Sequence, residues 1–379
     1  MTSASRPAKS ASDLTSPVAG SGSENAGVAV PRGNMVDGVS AKARHPSQVS
    51  GNWDSTPRSD AGVPVPPIGA GDRGRLVEPR YRRRLDRGPN HSYRNSQGPW
   101  RGNAVMRIVS LACSNTEIVC ALGCADLLVG VDDHSDFPEA VVGVLPKVGP
   151  DLQIDVDRVS ALNPDLVLAT LTVPGHEAVV ERLERAGLPF IAPEPVSLAD
   201  VYEDIREIAS RLAPASPGVQ ARAERLITEM RTEFDPSSSE GLPDLGTADD
   251  RRPLILVQWW PKPVITPGRR SWATEVIEAA GGRALLGHED HKSRPMTDLE
   301  VAEAAPDAVV LSWCGVHPDK YRPDVVLGNP SWQHLDFVTH RRVFCIGEPF
   351  LGRPGPRLVE GVRAMRQVTA SLGARVRLA

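Results

Sequence analysis

The sequence predicts an α/β protein of two lobes, each built on a parallel sheet, that are joined by a long helix and preceded by a disordered N-terminal tail. Three observations support this prediction. Beyond residue 105, short segments of β-branched residues alternate with segments of helical period, as in a parallel sheet covered by helices. A short pattern occurs twice in this region, at 161–168 and at 304–311. The first 105 residues are rich in Ser, Gly, Pro and Arg and have no sustained apolar period.

The N-terminal tail differs from the rest of the chain in charge as well as in composition. Residues 1–105 contain 15 Lys and Arg against 8 Asp and Glu, and the remaining residues contain 28 against 39. Such a tail cannot bury enough apolar surface to offset the entropy cost of folding. The folded region is acidic, which argues against a nucleic-acid partner.

The folded region opens with a strand, a helix and a second strand. Met106 to Leu111 is rich in β-branched residues and predicts a strand. Ser114, with Glu117 three residues later, predicts a capping box at the start of a helix that ends at Gly123. A second strand is predicted from Leu127 to Val131.

Polar residues follow the second strand and stand at the start of the helix. Asp133, His134 and Asp136 come directly after the strand, at the edge where open α/β sheets bind ligands. Ser114 and Asn115 lie at the helix start, where free backbone N–H groups face the same edge. The position alone therefore predicts a binding site here.

The alternation continues to the end of the chain. Predicted strands are 165–169, 189–192, 254–258, 308–312 and 343–346; predicted helices are 155–162, 175–186, 198–234 with a break at 214–217, 272–280, 299–305 and 356–372. Both copies of the repeated pattern consist of a helix end, a Pro-Asp turn and a buried strand. Their matching positions favour two similar lobes that face each other over a cleft.

Several ordered segments resemble one known family. These are SLACSNTEIVCALG at 110–123, LVGVDDHSDFP at 128–138, LNPDLVL at 162–168, QWWPKPVITPGRRSWATEVIEAAGG at 258–282 and FLGRPGPRLVEG at 350–361. Together they resemble the vitamin B12-binding branch of the iron-siderophore and cobalamin substrate-binding proteins that serve ABC importers. The resemblance covers nearly all of residues 106–372.

The resemblance implies two Rossmann-like lobes joined by a rigid helix, with a cobalamin-type corrinoid bound in the cleft between them and no cofactor required. It implies a non-catalytic protein that is a monomer and has an ABC permease as its partner. The expected boundaries are a tail at 1–105, a first lobe at 106–196, a helical linker at 197–235, a flexible loop at 236–252 and a second lobe at 253–379. The sequence has no nucleophile elbow, HExxH or P-loop, and no GxGxxG motif that follows a predicted strand.

Aromatic and basic residues of the second lobe are further ligand candidates. Trp259, Trp260 and Trp313 follow predicted strands, and a corrin ring needs broad apolar faces. Packing in a core is the alternative for all tryptophans, including Trp272. Arg269 and Arg270 precede a helix and could form an anion pocket, or a solvated turn.

Three more candidates come from loops. Thr172 follows the strand 165–169, and Glu348 and Phe350 follow the last strand, at the cleft rim of the resembling family. His134 could ligate cobalt or donate to a corrin amide, although a surface His usually does neither. No metal site is assigned, since the cluster His288 to His291 is expected to be a solvated turn.

Other functions stay open. A ferric siderophore or haem would make Arg269 and Arg270 more important than the tryptophans, and a cytoplasmic enzyme of tetrapyrrole or corrinoid handling is a third hypothesis. The resemblance implies docking to the permease through one acidic residue on each lobe, and Asp157 and Glu300 are the nearest equivalents.

The expected compartment follows from segments that the sequence lacks. An export signal has a basic start, a short apolar segment and a cleavage site of small residues, and no such segment precedes Met106. The sequence also has no stretch of about 20 apolar residues that could span a membrane. The five cysteines suit reduced thiols. The expected location is therefore cytoplasmic, with a periplasmic or cell-surface location as the alternative if translation begins elsewhere.

Overall fold

The computed structural model describes residues 93–95, 105–235 and 252–376. The chain divides into a unit of residues 1–74 and a unit of residues 75–379, and all described residues lie in the second unit. The predicted disordered tail and flexible loop fall largely outside the described residues. Within residues 1–105, the described strand β1 (Tyr93–Asn95) pairs antiparallel with residues 190–192, which the sequence did not predict.

The first lobe is built on a five-stranded sheet. Its strands β1, β2 (Ile108–Ser110), β3 (Leu128–Val131), β4 (Leu166–Leu168) and β5 (Phe190–Ala192) lie in the order β1-β5-β4-β2-β3. All pairs except that of β1 are parallel. Each of β2, β4 and β5 is buried throughout, as expected of strands covered on both faces.

Four helices belong to this lobe: α1 (Cys113–Ala121), α2 (Glu139–Val142), α3 (Val156–Ala161) and α4 (His176–Arg185). The predicted capping box at Ser114 is wrong. The N-cap of helix α1 is Ala112, two residues before the predicted position, and no side chain caps the helix. Glu117 instead points toward the second lobe, where it meets two arginines.

Two helices connect the lobes, α5 (Leu198–Leu212) and α6 (Val219–Phe234). They are antiparallel, because Arg206 of α5 pairs with Glu224 early in α6, while Tyr202 lies under Arg231 late in α6. Helix α6 contacts both lobes: Arg222 donates to the carbonyl of Leu122 in the first lobe at 2.6 Å, and Glu233 accepts from Nε of Arg363 in the second at 2.9 Å. The predicted break at 214–217 thus separates two packed helices.

The second lobe contains two sheets. The parallel sheet has the order β12-β11-β6-β9, with β6 (Leu254–Gln258), β9 (Arg283–Ala284), β11 (Ala308–Leu311) and β12 (Val343–Cys345). A small antiparallel sheet of β7 (Trp260–Pro261), β8 (Val264–Pro267) and β10 (Ser293–Met296) was not predicted. Short polar and proline-containing strands of this kind give little sequence signal.

The helices of the second lobe are α7 (Trp272–Ala279), α8 (Asp298–Ala304), α9 (Pro323–Leu327), α10 (Asp336–Thr339), α11 (Glu348–Leu351) and α12 (Leu358–Val376). Helix α12 packs against α6 and α7. No described helix is both long and apolar enough to cross a membrane.

The two copies of the internal repeat, 161–168 and 304–311, make the same hydrogen bonds. Asp165 Oδ2 accepts from the backbone N–H of Arg107 at 2.8 Å, and Asp307 Oδ2 accepts from that of Leu254 at 2.7 Å. Each aspartate also donates its own N–H to the carbonyl of the same residue. In both lobes the Pro-Asp turn therefore fastens one strand to the start of its neighbour, which confirms the two-lobe α/β architecture.

Candidate functional site

A cavity of about 540 Å³ lies between the lobes. Its walls are the segments that follow the carboxyl ends of β2, β3 and β4 in the first lobe and of β11 and β12 in the second. Ligands bind at this edge in open α/β sheets. The lining residues are 111–114, 132–134, 136, 151, 170, 172, 173 and 176 from the first lobe, and 314–318, 348, 349 and 352–354 from the second.

Charged residues from both lobes form a cluster, which we call the Arg353 cluster: Glu117, Asp136, Glu348, Arg353 and Arg357. Of these, Asp136, Glu348 and Arg353 line the cavity. Arg353 Nη1 donates to Asp136 Oδ1 at 2.6 Å and to Glu117 Oε1 at 3.1 Å. Its Nη2 donates to Asp136 Oδ2 at 3.2 Å, and its Nε donates to Glu348 Oε2 at 2.9 Å. One guanidinium therefore ties two carboxylates of the first lobe to one of the second.

Arg357 adds an aromatic contact beside this cluster. Its guanidinium lies 4.4 Å from the ring centre of Phe137 and 4.7 Å from that of Phe350. Arg357 Nη1 also donates to Glu117 Oε1 at 3.3 Å. The stack joins the first lobe to the second, because a guanidinium is attracted to both ring faces.

Glu117 is the most deeply buried acid of the cluster. Its side chain is 2% exposed, and Oε2 has no hydrogen-bond partner among the described residues. Burial raises the pKa of Glu117 to about 7, although Arg353 and Arg357 oppose this shift. Burial acts in the same direction on Asp136, yet the hydrogen bonds and charge of Arg353 hold the pKa of that carboxyl below its usual value.

Asp151 forms a second polar feature of the wall, between two histidines. Its Oδ2 lies 3.7 Å from Nε2 of His176, and its Oδ1 lies 3.8 Å from Nε2 of His134. Nδ1 of His176 accepts the backbone N–H of Val173 at 3.1 Å, so the neutral imidazole carries its proton on Nε2, toward Asp151. The side chain of His176, the backbone N–H of Leu152 and the charges of the two histidines hold the pKa of Asp151 below its usual value, against partial burial.

Six of the predicted ligand residues line the cavity: Ser114, Asp133, His134, Asp136, Thr172 and Glu348. The structure thus brings the polar loop after β3, the start of α1 and the end of the second sheet together. Phe350 lies beside the cavity, in the stack with Arg357.

The remaining predicted residues lie elsewhere. Asn115 is buried and donates to the carbonyl of Ala169 at 2.8 Å, which fixes α1 to the segment after β4. Trp272 donates to the carbonyl of Leu351 and Trp313 to Oε1 of Gln258, and both rings are buried in cores. Trp259 packs against Trp272, with ring centres 6.2 Å apart. These tryptophans offer no face to the cavity.

Trp260, Arg269 and Arg270 also lie outside the cavity lining. Trp260 is 43% exposed on β7. The N–H groups of Arg269 and Arg270 donate to the carbonyls of Glu289 and His291, and the Arg269 side chain pairs with Asp290 at 3.0 Å. Two of the backbone donors of the predicted anion pocket, and the Arg269 side chain, are therefore already used within the protein.

The two predicted docking acids occupy corresponding helices. Asp157 is exposed in the first turn of α3. Glu300 lies in the first turn of α8, forms a capping box with Thr297 and pairs with Arg294 at 2.8 Å. Glu300 is therefore partly engaged within its own lobe.

Sequence reasoning missed Asp151, His176 and the two thiols of Cys113 and Cys314 as parts of the wall. Burial raises the pKa of the Cys113 thiol, so this thiol is not a thiolate at neutral pH. Among the described residues no group of three or more His, Cys, Asp or Glu side chains is arranged to hold a metal ion. Nothing in the local sequence around Asp151 or His176 indicates their convergence, which depends on the packing of α4.

Residues 108–349 match the family model described as periplasmic binding protein. The chain belongs to this family. Membership confirms the resemblance to substrate-binding proteins and the prediction of a non-catalytic protein, and it sets aside the hypothesis of a tetrapyrrole-handling enzyme.

Several known proteins are similar to this chain over most of their own length. It is 28% identical over 264 residues to the uncharacterized ABC transporter substrate-binding lipoprotein YvrC of Bacillus subtilis, which covers 69% of this chain and 79% of that protein. It is 26% identical over 278 residues to the vitamin B12-binding protein of Vibrio vulnificus, covering 71% and 91%. Among solved structures, a periplasmic heme binding protein from Pseudomonas aeruginosa is 27% identical with a TM-score of 0.58, covering 70% and 93%.

Proposed function

We propose that this protein is the substrate-binding component of an ABC-type uptake system and binds a cobalamin-type corrinoid in the interlobe cavity. The family and its relatives support a small-molecule ligand in this cavity. Its volume of about 540 Å³ falls within the range of roughly 300–1,000 Å³ of small-molecule sites. A corrinoid of larger size would be held with part of its surface outside.

The negative charge of the cavity wall is the observation that supports a corrinoid rather than haem as the ligand. Five acidic residues line it: Asp132, Asp133, Asp136, Asp151 and Glu348. The cation that lines it, Arg353, already gives its hydrogen bonds to carboxylates. Carboxylates accept hydrogen bonds from the neutral amides that surround a corrin ring, whereas they repel the carboxylates of haem.

Haem and ferric siderophores are the second candidates, because a solved relative is a heme binding protein. An anionic ligand of either kind needs cationic partners. Arg269 and Arg270, which the sequence suggested for that role, do not line the cavity. The charge of the cavity wall therefore favours the corrinoid over an anionic ligand such as haem.

The test is a titration of the full-length chain with cyanocobalamin, aquocobalamin and haemin, followed by calorimetry and visible absorption. We expect a Kd of micromolar or tighter for a corrinoid, and binding of haemin that is at least about tenfold weaker. Thr172→Trp should fill the cavity and abolish binding. Thr232→Trp, on the exposed face of α6, is the matched control. A stoichiometric haemin complex without corrinoid binding would replace this proposal by the haem alternative.

Docking to a permease is part of the same proposal. Asp157 and Glu300 lie on corresponding first turns of α3 and α8, so both lobes present an acid in a similar place. The double variant Asp157→Arg with Glu300→Arg should keep corrinoid affinity and lose association with the permease. The cytoplasmic location predicted from the sequence stays a prediction, which fractionation of producing cells tests.

A further inference from the structure

The cavity presents negative charge from several directions. Asp133 is exposed at the wall, and its Oδ1 accepts the N–H of Gly149 at 3.1 Å. Asp151 stands opposite the second lobe, with its Oδ1 accepting the N–H of Leu152 at 2.9 Å. Both carboxylates are anchored to backbone on the first lobe, so their charge has a fixed place in the wall.

Among the described residues, Arg353 is the Lys or Arg side chain that lines the cavity, and it is already paired with carboxylates. Arg353 gives four hydrogen bonds to three carboxylates, as described above. Lys147 donates to the carbonyls of Asp132 and Ser135 behind the wall, at 3.3 and 2.6 Å. Lys292 spans the lobes to Glu194 at 2.6 Å. Each of these three cations is already held by oxygen acceptors of the protein.

His176 helps to keep Asp151 ionised. The imidazole is 4% exposed, lines the cavity and has its Nε2 without a hydrogen-bond partner among the described residues. Its proton on Nε2 points toward Asp151 Oδ2 at 3.7 Å, while His134 approaches the other oxygen. The donors around Asp151 stabilise its ionised form, which directs a lasting negative charge into the cavity.

We propose that the cavity selects a corrinoid that carries no anionic group, a cobinamide-type incomplete corrinoid, over complete cobalamin, and that Asp151 and Asp133 set this preference. The inference rests on the proposed function and names the substrate class of the same site. Complete cobalamin carries a phosphodiester in its nucleotide loop. An incomplete corrinoid lacks that charge but keeps the neutral amides and the positive charge of its cobalt centre.

The expected size of the effect follows from Coulomb's law. A like charge held within roughly 6 Å of a carboxylate, at an effective dielectric constant of about 20, weakens binding by about tenfold or more. A phosphodiester bound in the cavity would be repelled in this way, and a cationic cobalt centre would be attracted. Because cavity charges are partly screened by salt, the preference should shrink at high ionic strength.

The experiment uses the full-length chain and two probes, cyanocobalamin and aquocyanocobinamide, with Kd measured by calorimetry at low and high salt. We expect cobinamide to bind at least about tenfold more tightly at low salt. Asp151→Asn and Asp133→Asn should each reduce the ratio of the two Kd values several-fold, mainly by strengthening cobalamin binding. Asp126→Asn removes the same charge from an exposed position outside the cavity and should leave the ratio unchanged.

The outcomes separate the two proposals. If neither corrinoid binds the wild-type chain, the proposed function fails. If both bind and cobalamin is equal or tighter, the proposed function stands and the selectivity inference fails. If the preference exists but survives in both aspartate variants, its assignment to Asp151 and Asp133 is wrong. Asp151 is partly exposed, and an amide of the same size keeps its shape, so these variants should fold; thermal unfolding followed by circular dichroism checks this.

Discussion

Arg353 of the second lobe holds Asp136 of the first with two hydrogen bonds, at 2.6 and 3.2 Å. The same guanidinium reaches Glu117 inside the first lobe. Lys292 and Glu194 make a further contact between the lobes at 2.6 Å. The two lobes are thus tied by charged contacts, and three residues of the Arg353 cluster, Asp136, Glu348 and Arg353, line the cavity.

The first prediction concerns the removal of this guanidinium. Arg353→Met should lower the free energy of unfolding by about 3 kcal/mol, because it leaves Glu117 buried with one weaker partner, Arg357. Urea unfolding followed by circular dichroism measures this change. Arg363→Met is the control, since Arg363 pairs with Glu233 at a half-exposed site and should cost less than about 1 kcal/mol. Equal losses in both variants would contradict a special role for the cluster.

The second prediction concerns pH. The folded-state pKa of Glu117 is raised from 4.5 to about 7, mainly by burial, so the folded protein binds a proton that the unfolded chain has released between these values. The contribution of Glu117 to stability is therefore present below about pH 4.5 and is lost as pH rises toward 7, by roughly 3 kcal/mol. Urea midpoints of wild type and Glu117→Gln between pH 5 and 8 measure it. The difference between the urea midpoints of the two proteins should change with pH over this range and level off above pH 7. Midpoints that change in parallel with pH would show that Glu117 does not titrate there.

The third prediction concerns the tryptophan that the sequence placed against a ligand. Trp260→Ala should change corrinoid affinity by less than about twofold, because the side chain lies on β7, outside the cavity lining. Calorimetric titration measures the affinity, with Thr172→Trp as the variant expected to lose binding. A loss of tenfold or more in Trp260→Ala would restore the interpretation that this ring contacts the ligand.

The sequence predicts the strands and helices of both lobes well because their signals are local. Buried β-branched runs such as residues 254–258 and Pro-Asp turns act over a few residues. The same reasoning finds the polar loop after β3, since its position at a strand end is a property of the fold class.

The contacts of the site depend on pairs that are far apart in the chain. Glu117 and Arg353 are separated by 236 positions, and the pattern at 114–117 fits a capping box equally well. A tryptophan after a strand is typical both of a binding site and of a core. Which of the two it occupies depends on a distant partner: for Trp272 this is the carbonyl of Leu351, 79 positions away. Local pattern could not distinguish these cases, so the prediction of aromatic ligand contacts is not supported at Trp272 and Trp313.

The last prediction tests the internal repeat. Asn163 and Ala305 occupy the same place before the Pro-Asp turn, with positive φ angles of 46° and 44°. The left-handed conformation costs an alanine about 1–2 kcal/mol, whereas asparagine tolerates it and glycine adopts it freely. Ala305→Gly should therefore raise the free energy of unfolding by about 0.5–1 kcal/mol, after the greater entropy of glycine in the unfolded chain is subtracted.

Two matched variants show whether this strain is specific to the turn. Asn163→Gly should change stability by less than about 0.5 kcal/mol, because asparagine is already suited to the conformation. Ala304→Gly, one residue earlier and inside α8, should lose about 1 kcal/mol from the lower helix propensity of glycine. Urea unfolding of the three variants measures the differences. A loss at Ala305→Gly as large as that at Ala304→Gly would mean that residue 305 behaves as helix interior and that the two turns are not equivalent.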